Sequence, residues 1–171
     1  MKEWIPIPGS NKETLIKVAL EEFSLKGYKG VNITELAAKA NMTTGAVYHH
    51  FGSKLKLYEV IRNEMEQRML DRMEGAAALF DEPTEALEAA LITGLNFAVK
   101  ANICKLLSEE NSSIKEDKIE EFLSNLNSYP DLPIQLVLSS SWRYILKGLS
   151  ENQLTIDQGK NLIRWIFKKE F

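Results

Sequence analysis

Residues 32–54 decide the fold, and they read NITELAAKANMTTGAVYHHFGSK. Asn32 precedes an apolar run, and its side chain is of the type that accepts hydrogen bonds from the free N–H groups of a first helical turn. Glu35 stands three residues later, which matches a capping box. Asn41 follows the run, and Asn tolerates the left-handed conformation that ends many helices. The pattern predicts a short helix that ends near Ala40.

A second helix start follows almost at once. Thr43 is a candidate N-cap for a helix from Thr44 to about His50. A helix of this length is too short to be stable alone, so packing through Val47 and Phe51 must hold it. A Gly-Ser pair at residues 52–53 then ends it. Two short helices joined by a turn of about three residues form a helix-turn-helix, whose second helix fits the major groove of DNA.

The motif lies within a longer series of positions at fixed spacing: Leu15, Ala19, Phe23, Gly27, Tyr28, Leu36, Ala37, Thr43, Thr44, Gly45, Tyr48, His49, His50, Phe51, Lys54 and Leu57. On these residues, the segment 15–57 resembles the DNA-binding domain of the TetR family of bacterial transcriptional regulators. The segment departs from the family pattern at Asn41 and Met42, where the family usually has Gly-Val. Asn adopts the same backbone conformation at small cost, so we expect the turn to be kept.

The rest of the chain also reads as helices. Ser10, with Glu13 as a capping box, starts a first helix that Gly27 ends. A long helix from Lys54 carries an apolar stripe with i, i+4 spacing: Leu57, Ile61, Met65, Met69 and Met73. We predict helices over residues 11–26, 54–79, 83–100, 102–109, 116–126, 134–149 and 156–168 in addition to the helix-turn-helix pair, with an extended arm over 1–9, a loop at 111–113 and a linker at 128–133.

No strand alternation appears, so the fold class predicted is all-α, with about nine helices. We place a DNA-binding domain at residues 1–56 and a helical regulatory and dimerisation body at 57–171. The net charge of the chain is −3. Residues 1–56 hold eight lysines against five acidic residues, whereas residues 57–171 hold thirteen basic against nineteen acidic residues. The basic part is therefore the part with the helix-turn-helix, as expected for a DNA-facing head on an acidic body.

Composition restricts the location. The chain has one cysteine, Cys104, so it forms no internal disulfide, which fits a reducing compartment. It has no membrane-spanning apolar run and no signal-peptide pattern. We expect a cytoplasmic protein without a membrane partner.

The predicted DNA site is the second helix of the motif and the start of the next. Gly45 allows close backbone approach, and Tyr48 and His49 offer hydrogen-bond donors to phosphate or a surface for a thymine methyl. Lys54 opposes the dipole at its helix start, which phosphate contact would explain, although a solvated lysine is the alternative. The predicted contact residues are Thr43, Thr44, Gly45, Ala46, Tyr48, His49, His50 and Lys54.

Two further sites are predicted in the body. The last two helices carry apolar residues on more than one face, which indicates a subunit interface. Its residues would be Val137, Ser141, Tyr144, Ile145, Leu162, Trp165 and Ile166. The family resemblance, for its part, implies a ligand-responsive repressor that binds a palindromic operator as a homodimer and holds a small-molecule effector inside the body. The candidate lining residues are Met65, Met69, Asn96, Phe97, Cys104 and Trp142, which would equally make an ordinary core.

Other kinds of chemistry find little support. His49 and His50 are adjacent in a helix and point about 100° apart, so they cannot easily share one metal ion. Cys104 reads more readily as a small buried hydrophobe than as a redox sensor. No catalytic motif, phosphate loop or cofactor motif appears, so we predict no enzyme activity and no cofactor. The alternative to a regulator is a helix-turn-helix module that contacts only proteins, and salt-dependent DNA binding would distinguish the two.

Overall fold

A computed structural model describes residues 8–109, 117–129 and 131–168. Over these ranges the chain is all-α, as predicted, with nine helices and no strand. The helices are α1 Asn11–Gly30, α2 Ile33–Lys39, α3 Thr44–Phe51, α4 Lys54–Ala77, α5 Pro83–Lys100, α6 Cys104–Ser108, α7 Lys118–Asn125, α8 Ile134–Ser150 and α9 Ile156–Phe167. The chain divides into two compact units, Met1–Glu64 and Met65–Phe171. The domain boundary predicted from the sequence lies earlier, close to the start of α4.

Helix α1 begins where the sequence predicts but ends differently. Ser10 Oγ accepts a hydrogen bond from the Glu13 N–H at 3.2 Å. The Glu13 carboxylate accepts from the N–H of Gly9 at 2.7 Å, one residue before the partner expected in a capping box. Gly27 has φ 71° and ψ 175°, which interrupts the helix as predicted. The chain then resumes helical bonding as far as Gly30, so the interruption is a kink rather than an end.

The helix-turn-helix is built from the local signals that the sequence contains. Asn32 Oδ1 accepts from the N–H groups of Thr34 at 2.8 Å and Glu35 at 3.3 Å. Asn41 takes φ 55°, the left-handed conformation predicted for it. The Met42 N–H then donates to the Ala37 carbonyl at 2.9 Å and closes the end of α2. The Glu35 carboxylate lies 3.6 Å from the ammonium of Lys26.

The first unit has an apolar core with one charged cluster at its edge. Leu15, Ala19 and Phe23 of α1 are fully buried, so the predicted stripe of this helix faces the core. Glu22, next to Phe23, is only 6% exposed. Its carboxylate forms ion pairs with Lys26 at 2.8 Å and with Lys39 of α2. Hydrogen bonds from these two ammonium groups lower the pKa of Glu22.

The second unit is held together around α5 and α8. Helix α8 packs against α6 and α7, and α9 packs against α5. The buried Trp142 indole N–H of α8 donates to the Leu91 carbonyl of α5 at 3.1 Å. Gly94 lets the helices approach, because a Cβ there would lie 2.8 Å from Met73 Sδ and 3.2 Å from the Trp142 ring. Gly159 does the same for α9 against Leu95.

The middle helices are shorter than predicted. Helix α6 starts at Cys104 because Asn102 has φ 55°, which no α-helix accommodates. Helix α7 starts after Asp117, whose carboxylate accepts from the N–H groups of Ile119 and Glu120 at 3.1 Å each. The other oxygen of Asp117 pairs with Arg143 of α8. Helix α4 likewise ends at Ala77, two residues before the predicted end.

Four predicted features fall wholly or partly outside the described residues. The loop at 111–113 does so entirely, and residues 1–7 make up most of the predicted arm. Residue 116 begins the helix predicted over 116–126, and residue 130 belongs to the predicted linker. Residues 132 and 133 of that linker run into the start of α8 at Ile134. The last predicted cap is confirmed in full, since Thr155 and Gln158 form a reciprocal capping box at the start of α9.

Candidate nucleic-acid interface

Helix α3 presents one face to the core and the other to solvent. Val47 and Phe51 are buried at 1% and 8% exposure and hold the helix in the first unit. The opposite face carries side chains of the types that contact DNA, and Tyr48 is 45% exposed. Of the predicted contact residues, Thr43, Gly45, Tyr48, His49 and His50 are exposed, whereas Thr44, Ala46 and Lys54 are half-buried.

The two ends of α3 are fixed by short hydrogen-bonded turns. Thr43 Oγ1 accepts from the Ala46 N–H at 3.1 Å, so this hydroxyl serves as the N-cap of the helix. Gly52 takes φ 73°, a conformation that favours glycine, and its N–H donates to the Tyr48 carbonyl at 2.7 Å. Ser53 Oγ then accepts from the Lys56 N–H at 3.1 Å and caps α4. The N-terminal turn of α3 and that of α4 are therefore both held in place by local bonds.

Lys54, the first residue of α4, lies against an aromatic side chain of α1. Its ammonium is 4.6 Å from the centre of the Tyr28 ring. The Tyr28 ring packs edge-to-face on Tyr58 with 5.1 Å between ring centres, and Tyr58 packs in the same way on Phe23, again at 5.1 Å. Lys54 is thus half-buried and in contact with an aromatic ring, rather than fully solvated.

A second lysine of the first unit makes a similar contact. The Lys12 ammonium of α1 lies 5.6 Å from the centre of the Phe51 ring. Sequence reasoning missed both Lys12 and Tyr28 as candidate interface residues. Tyr28 carried a signal, since it follows the helix-interrupting Gly27 and is an aromatic residue at a polar helix end. Lys12 had no such signal in the sequence, because its contact with Phe51 joins residues that are far apart along the chain.

The adjacent histidines lie close together on the exposed part of α3. The rings of His49 and His50 lie edge-to-face with 5.8 Å between their centres. Among the residues that the structure describes, no group of three or more His, Cys, Asp or Glu side chains is placed to hold a metal ion. Both histidines are exposed and lie on the same helix as the other candidate contacts.

The predicted ligand residues occupy different environments in the second unit. Met65, Met69, Cys104 and Trp142 are buried. Phe97 is half-buried, with the Arg72 guanidinium 4.5 Å above its ring, and Asn96 is exposed to solvent. Burial raises the pKa of the Cys104 thiol to about 11, so the thiol is a poor nucleophile. The six residues therefore divide between core and surface.

An open groove lies elsewhere in the same unit, between the end of α4, the start of α5 and the end of α7. Its volume is about 530 Å³. None of the six predicted ligand residues lines it. The residues that do are mostly apolar and include two carboxylates: Glu74, Ala77, Ala78, Phe80, Asp81, Pro83, Ala86, Phe122, Asn125, Leu126, Asn127 and Ser128.

The predicted interface residues also divide. Val137, Tyr144 and Trp165 are 65%, 73% and 71% exposed, and Leu162 is 41% exposed. Ser141 and Ile166 are half-buried. Ile145 is different, because it is 5% exposed and packs inside the unit, where it lies beside Gly159 of α9. Helices α8 and α9 thus bury one apolar face and expose another.

The arrangement defines a class of protein. A short exposed helix follows a tight turn in a small N-terminal unit, and α4 continues from that unit into a second, all-α unit. This is a helix-turn-helix protein with an additional helical domain. No helix among the described residues combines the length and apolar character needed to cross a membrane.

Comparison with known proteins shows which family the chain resembles. Residues 15–61 match the model described as bacterial regulatory proteins, tetR family. The chain is 26% identical over 175 residues to the HTH-type transcriptional regulator AcrR of Shigella flexneri, which covers 88% of this chain and 81% of that protein. The chain is therefore similar to the TetR family of bacterial transcriptional regulators, and the family model itself matches the N-terminal segment, residues 15–61.

Two further relatives extend the comparison. The chain is 31% identical over 90 residues to the probable acrEF/envCD operon repressor of Escherichia coli K12, and the match covers 52% of this chain but only 41% of that protein. The fold is similar to that of AibR in a complex with isovaleryl coenzyme A and operator DNA, with a TM-score of 0.72 and 18% identity over 92% of this chain and 98% of that one. The first two relatives are thus named as a transcriptional regulator and as an operon repressor.

Proposed function

We propose that this protein is a transcriptional repressor that binds double-stranded operator DNA through α3. The observation that carries the proposal is the exposed face of α3, on which Gly45, Tyr48 and His49 follow a fixed helix N-terminus. In helix-turn-helix proteins this end of the second helix approaches the base edges. The excess of lysine over acidic residues in residues 1–56 supports the same assignment. Because bacterial operators lie in the cytoplasm, the proposal also locates the protein there.

The proposed contacts have separate roles. Thr44, Gly45 and Ala46 form the first turn of α3, where they would meet base edges, and Thr43 caps that turn. Tyr48, His49 and His50 lie further along the exposed face and would contact phosphates or a thymine methyl. Lys54 would contact a phosphate from the start of α4.

We propose that the protein acts as a homodimer. Val137 and Tyr144 of α8, with Leu162 and Trp165 of α9, expose large apolar surface on two helices that pack together. Exposed apolar surface of this kind marks association sites in soluble proteins. Ser141 and Ile166 are half-buried on the same helices and would lie at the edge of the contact, whereas Ile145 would support it from inside.

We also propose that a small amphipathic effector binds the second unit. The AibR structure holds isovaleryl coenzyme A, which motivates a search among such molecules. Met65, Met69, Cys104 and Trp142 would line the site if it opens within the core, since Met side chains adapt to varied shapes. Phe97 would lie nearer its entrance with Asn96, which is exposed.

The test is selection of a DNA duplex of about 30 base pairs from a random pool, long enough for two half-sites one helical turn apart. We expect enrichment of a palindromic sequence and binding that weakens steeply with salt. Thr44→Ala should change the preference among operator variants by about 1–3 kcal/mol at one position. Recovery of no sequence by the wild-type protein would favour the alternative, a helix-turn-helix module that contacts only proteins.

A further inference from the structure

The contact between Lys54 and Tyr28 joins the start of α4 to the end of α1. A lysine ammonium within about 6 Å of an aromatic ring centre is attracted to the ring face, and this one lies at 4.6 Å. As the first residue of α4, Lys54 gains nothing from the helix dipole, which repels positive charge at that end. The Tyr28 ring offers an attraction for the ammonium that the helix end does not.

The ring itself is fixed from behind. Tyr28 packs edge-to-face on Tyr58, which is fully buried, and Tyr58 packs edge-to-face on the equally buried Phe23. Gly27, with φ 71° and ψ 175°, redirects the chain immediately before Tyr28. The three rings and the glycine kink form a rigid support that reaches from the core of the first unit to its surface.

We propose that Tyr28 is a positioning residue for DNA binding, whose ring face holds the Lys54 ammonium ready to contact a DNA phosphate. The inference rests on the proposed function, because it concerns the phosphate contact made by the same unit. A free lysine loses rotamer freedom when it binds a phosphate, whereas a lysine already held on a ring has lost much of it beforehand.

The test is a pair of double-mutant cycles measured on the duplex selected by the wild-type protein. Lys54→Ala should weaken binding to all sequences and lower the slope of log affinity against log salt by about 0.9. Tyr28→Leu should weaken binding by about three- to tenfold and make the slope shallower. The double mutant should bind no more weakly than Lys54→Ala alone, because Tyr28 acts only through Lys54.

Lys56 provides the matched control. It is an exposed lysine in the same first turn of α4. Removal of its charge by Lys56→Ala should add independently to Tyr28→Leu. Additive effects in the Lys54 cycle, with a wild-type protein that binds DNA, would overturn the role of Tyr28 while leaving the proposed function in place. Failure of the wild-type protein to select any duplex would overturn both.

A second pair of variants separates the ring face from packing, should Tyr28→Leu fold poorly. Tyr28→Phe keeps the ring and its negative face, so DNA affinity should stay within about twofold of wild type. Pentafluorophenylalanine at position 28 keeps nearly the same shape but withdraws electron density from the face, so affinity should fall to the level expected of Tyr28→Leu. Equal affinity of the Phe and pentafluorophenylalanine variants would contradict the proposal.

Discussion

Glu22 shows how one side chain joins two helices of the first unit. It lies on α1, 6% exposed, between the ammonium groups of Lys26 on the same helix and Lys39 on α2. A buried carboxylate is costly unless it is paired and hydrogen-bonded, and both lysines supply those bonds. Because α2 directly precedes α3, the position of α3 depends in part on this carboxylate.

The pH dependence of stability follows from the lowered pKa of Glu22. Hydrogen bonds from Lys26, and then from Lys39, hold that pKa below the ordinary value of 4.5. The unfolded chain therefore binds a proton at higher pH than the folded chain does. The stabilisation from Glu22 is present above the unfolded pKa and is lost as the pH falls through the folded pKa.

We expect Glu22→Gln to lower the free energy of unfolding by about 1–3 kcal/mol at pH 7. The loss should shrink as the pH falls below 4.5, because the unfolded wild-type chain then takes up a proton at Glu22, and it should vanish below the lower pKa of the folded state. Urea unfolding, followed by circular dichroism at pH 7 and at a pH below 4.5, measures the free energy of unfolding of the two proteins. Glu21→Gln is the control, since Glu21 is the exposed neighbour. An equal loss at acid and neutral pH would mean that the charge of Glu22 is not what stabilises the unit.

At the scale of elements, close approach between helices is decided by single glycines. Gly94 of α5 lies where a Cβ would meet Met73 Sδ at 2.8 Å and the Trp142 ring at 3.2 Å. Both neighbours are buried, so neither side chain has room to move aside. Gly75 of α4 is the opposite case, because a Cβ there would meet nothing within 4 Å.

These two glycines make a matched pair of predictions. Gly94→Ala should destabilise the protein by about 1–3 kcal/mol, because the methyl group overpacks the contact between α4, α5 and α8. Gly75→Ala should stabilise it by up to about 1 kcal/mol, because Ala is the better helix former at a position with free space. Thermal unfolding of the two variants provides the measurement. Stabilisation by both would show that the helices of the second unit are less tightly packed than described.

At the scale of the whole molecule, assembly is the first question. Trp165 is 71% exposed, so Trp165→Glu should leave the fold of the protomer intact while it places a charge in the proposed dimer contact. We expect sedimentation velocity to give a dimer for the wild-type protein and a monomer for the variant. Leu25 of α1, 66% exposed, provides the control, since Leu25→Glu should leave the dimer unchanged. A wild-type protein that sediments as a monomer at micromolar concentration would contradict the dimer.

Regulation is the second question at this scale. A helix-turn-helix dimer reads two half-sites about 34–36 Å apart. If the two N-terminal units of the proposed dimer can adopt either of two separations, an effector shifts the equilibrium between them only by its differential affinity for the two. Helix α4 runs from one unit into the other and is the natural connection. A coupling of about 1–3 kcal/mol would lower operator affinity by roughly 5–150-fold.

We predict that effector binding and operator binding weaken each other equally. For any molecule that lowers operator affinity, operator DNA must weaken binding of that molecule by the same factor. Calorimetric titration of isovaleryl coenzyme A, and then of other amphipathic molecules, with and without the selected duplex measures both factors. Equal effector affinities in the two titrations would mean that the bound molecule is not an inducer.

The sequence by itself determined the features that depend on neighbours three or four residues apart. The caps at Ser10, Asn32, Thr43 and Thr155, and the left-handed Asn41, follow from hydrogen bonds within a single turn. Spacing along the chain predicts such bonds, because their partners lie within one helical turn. They are sufficient to define the all-α class, the helix-turn-helix and the exposed face of α3 that we propose contacts DNA.

Tertiary structure alone decided the features that join distant residues. Glu22 meets Lys39, Tyr28 meets Lys54, and Trp142 reaches the carbonyl of Leu91 on another helix. Tertiary structure also separated Ile145, which is buried, from the exposed Tyr144 beside it. Helical periodicity shows that a helix has an apolar face but not which partner covers it, because burial depends on side chains brought together only when the chain has folded.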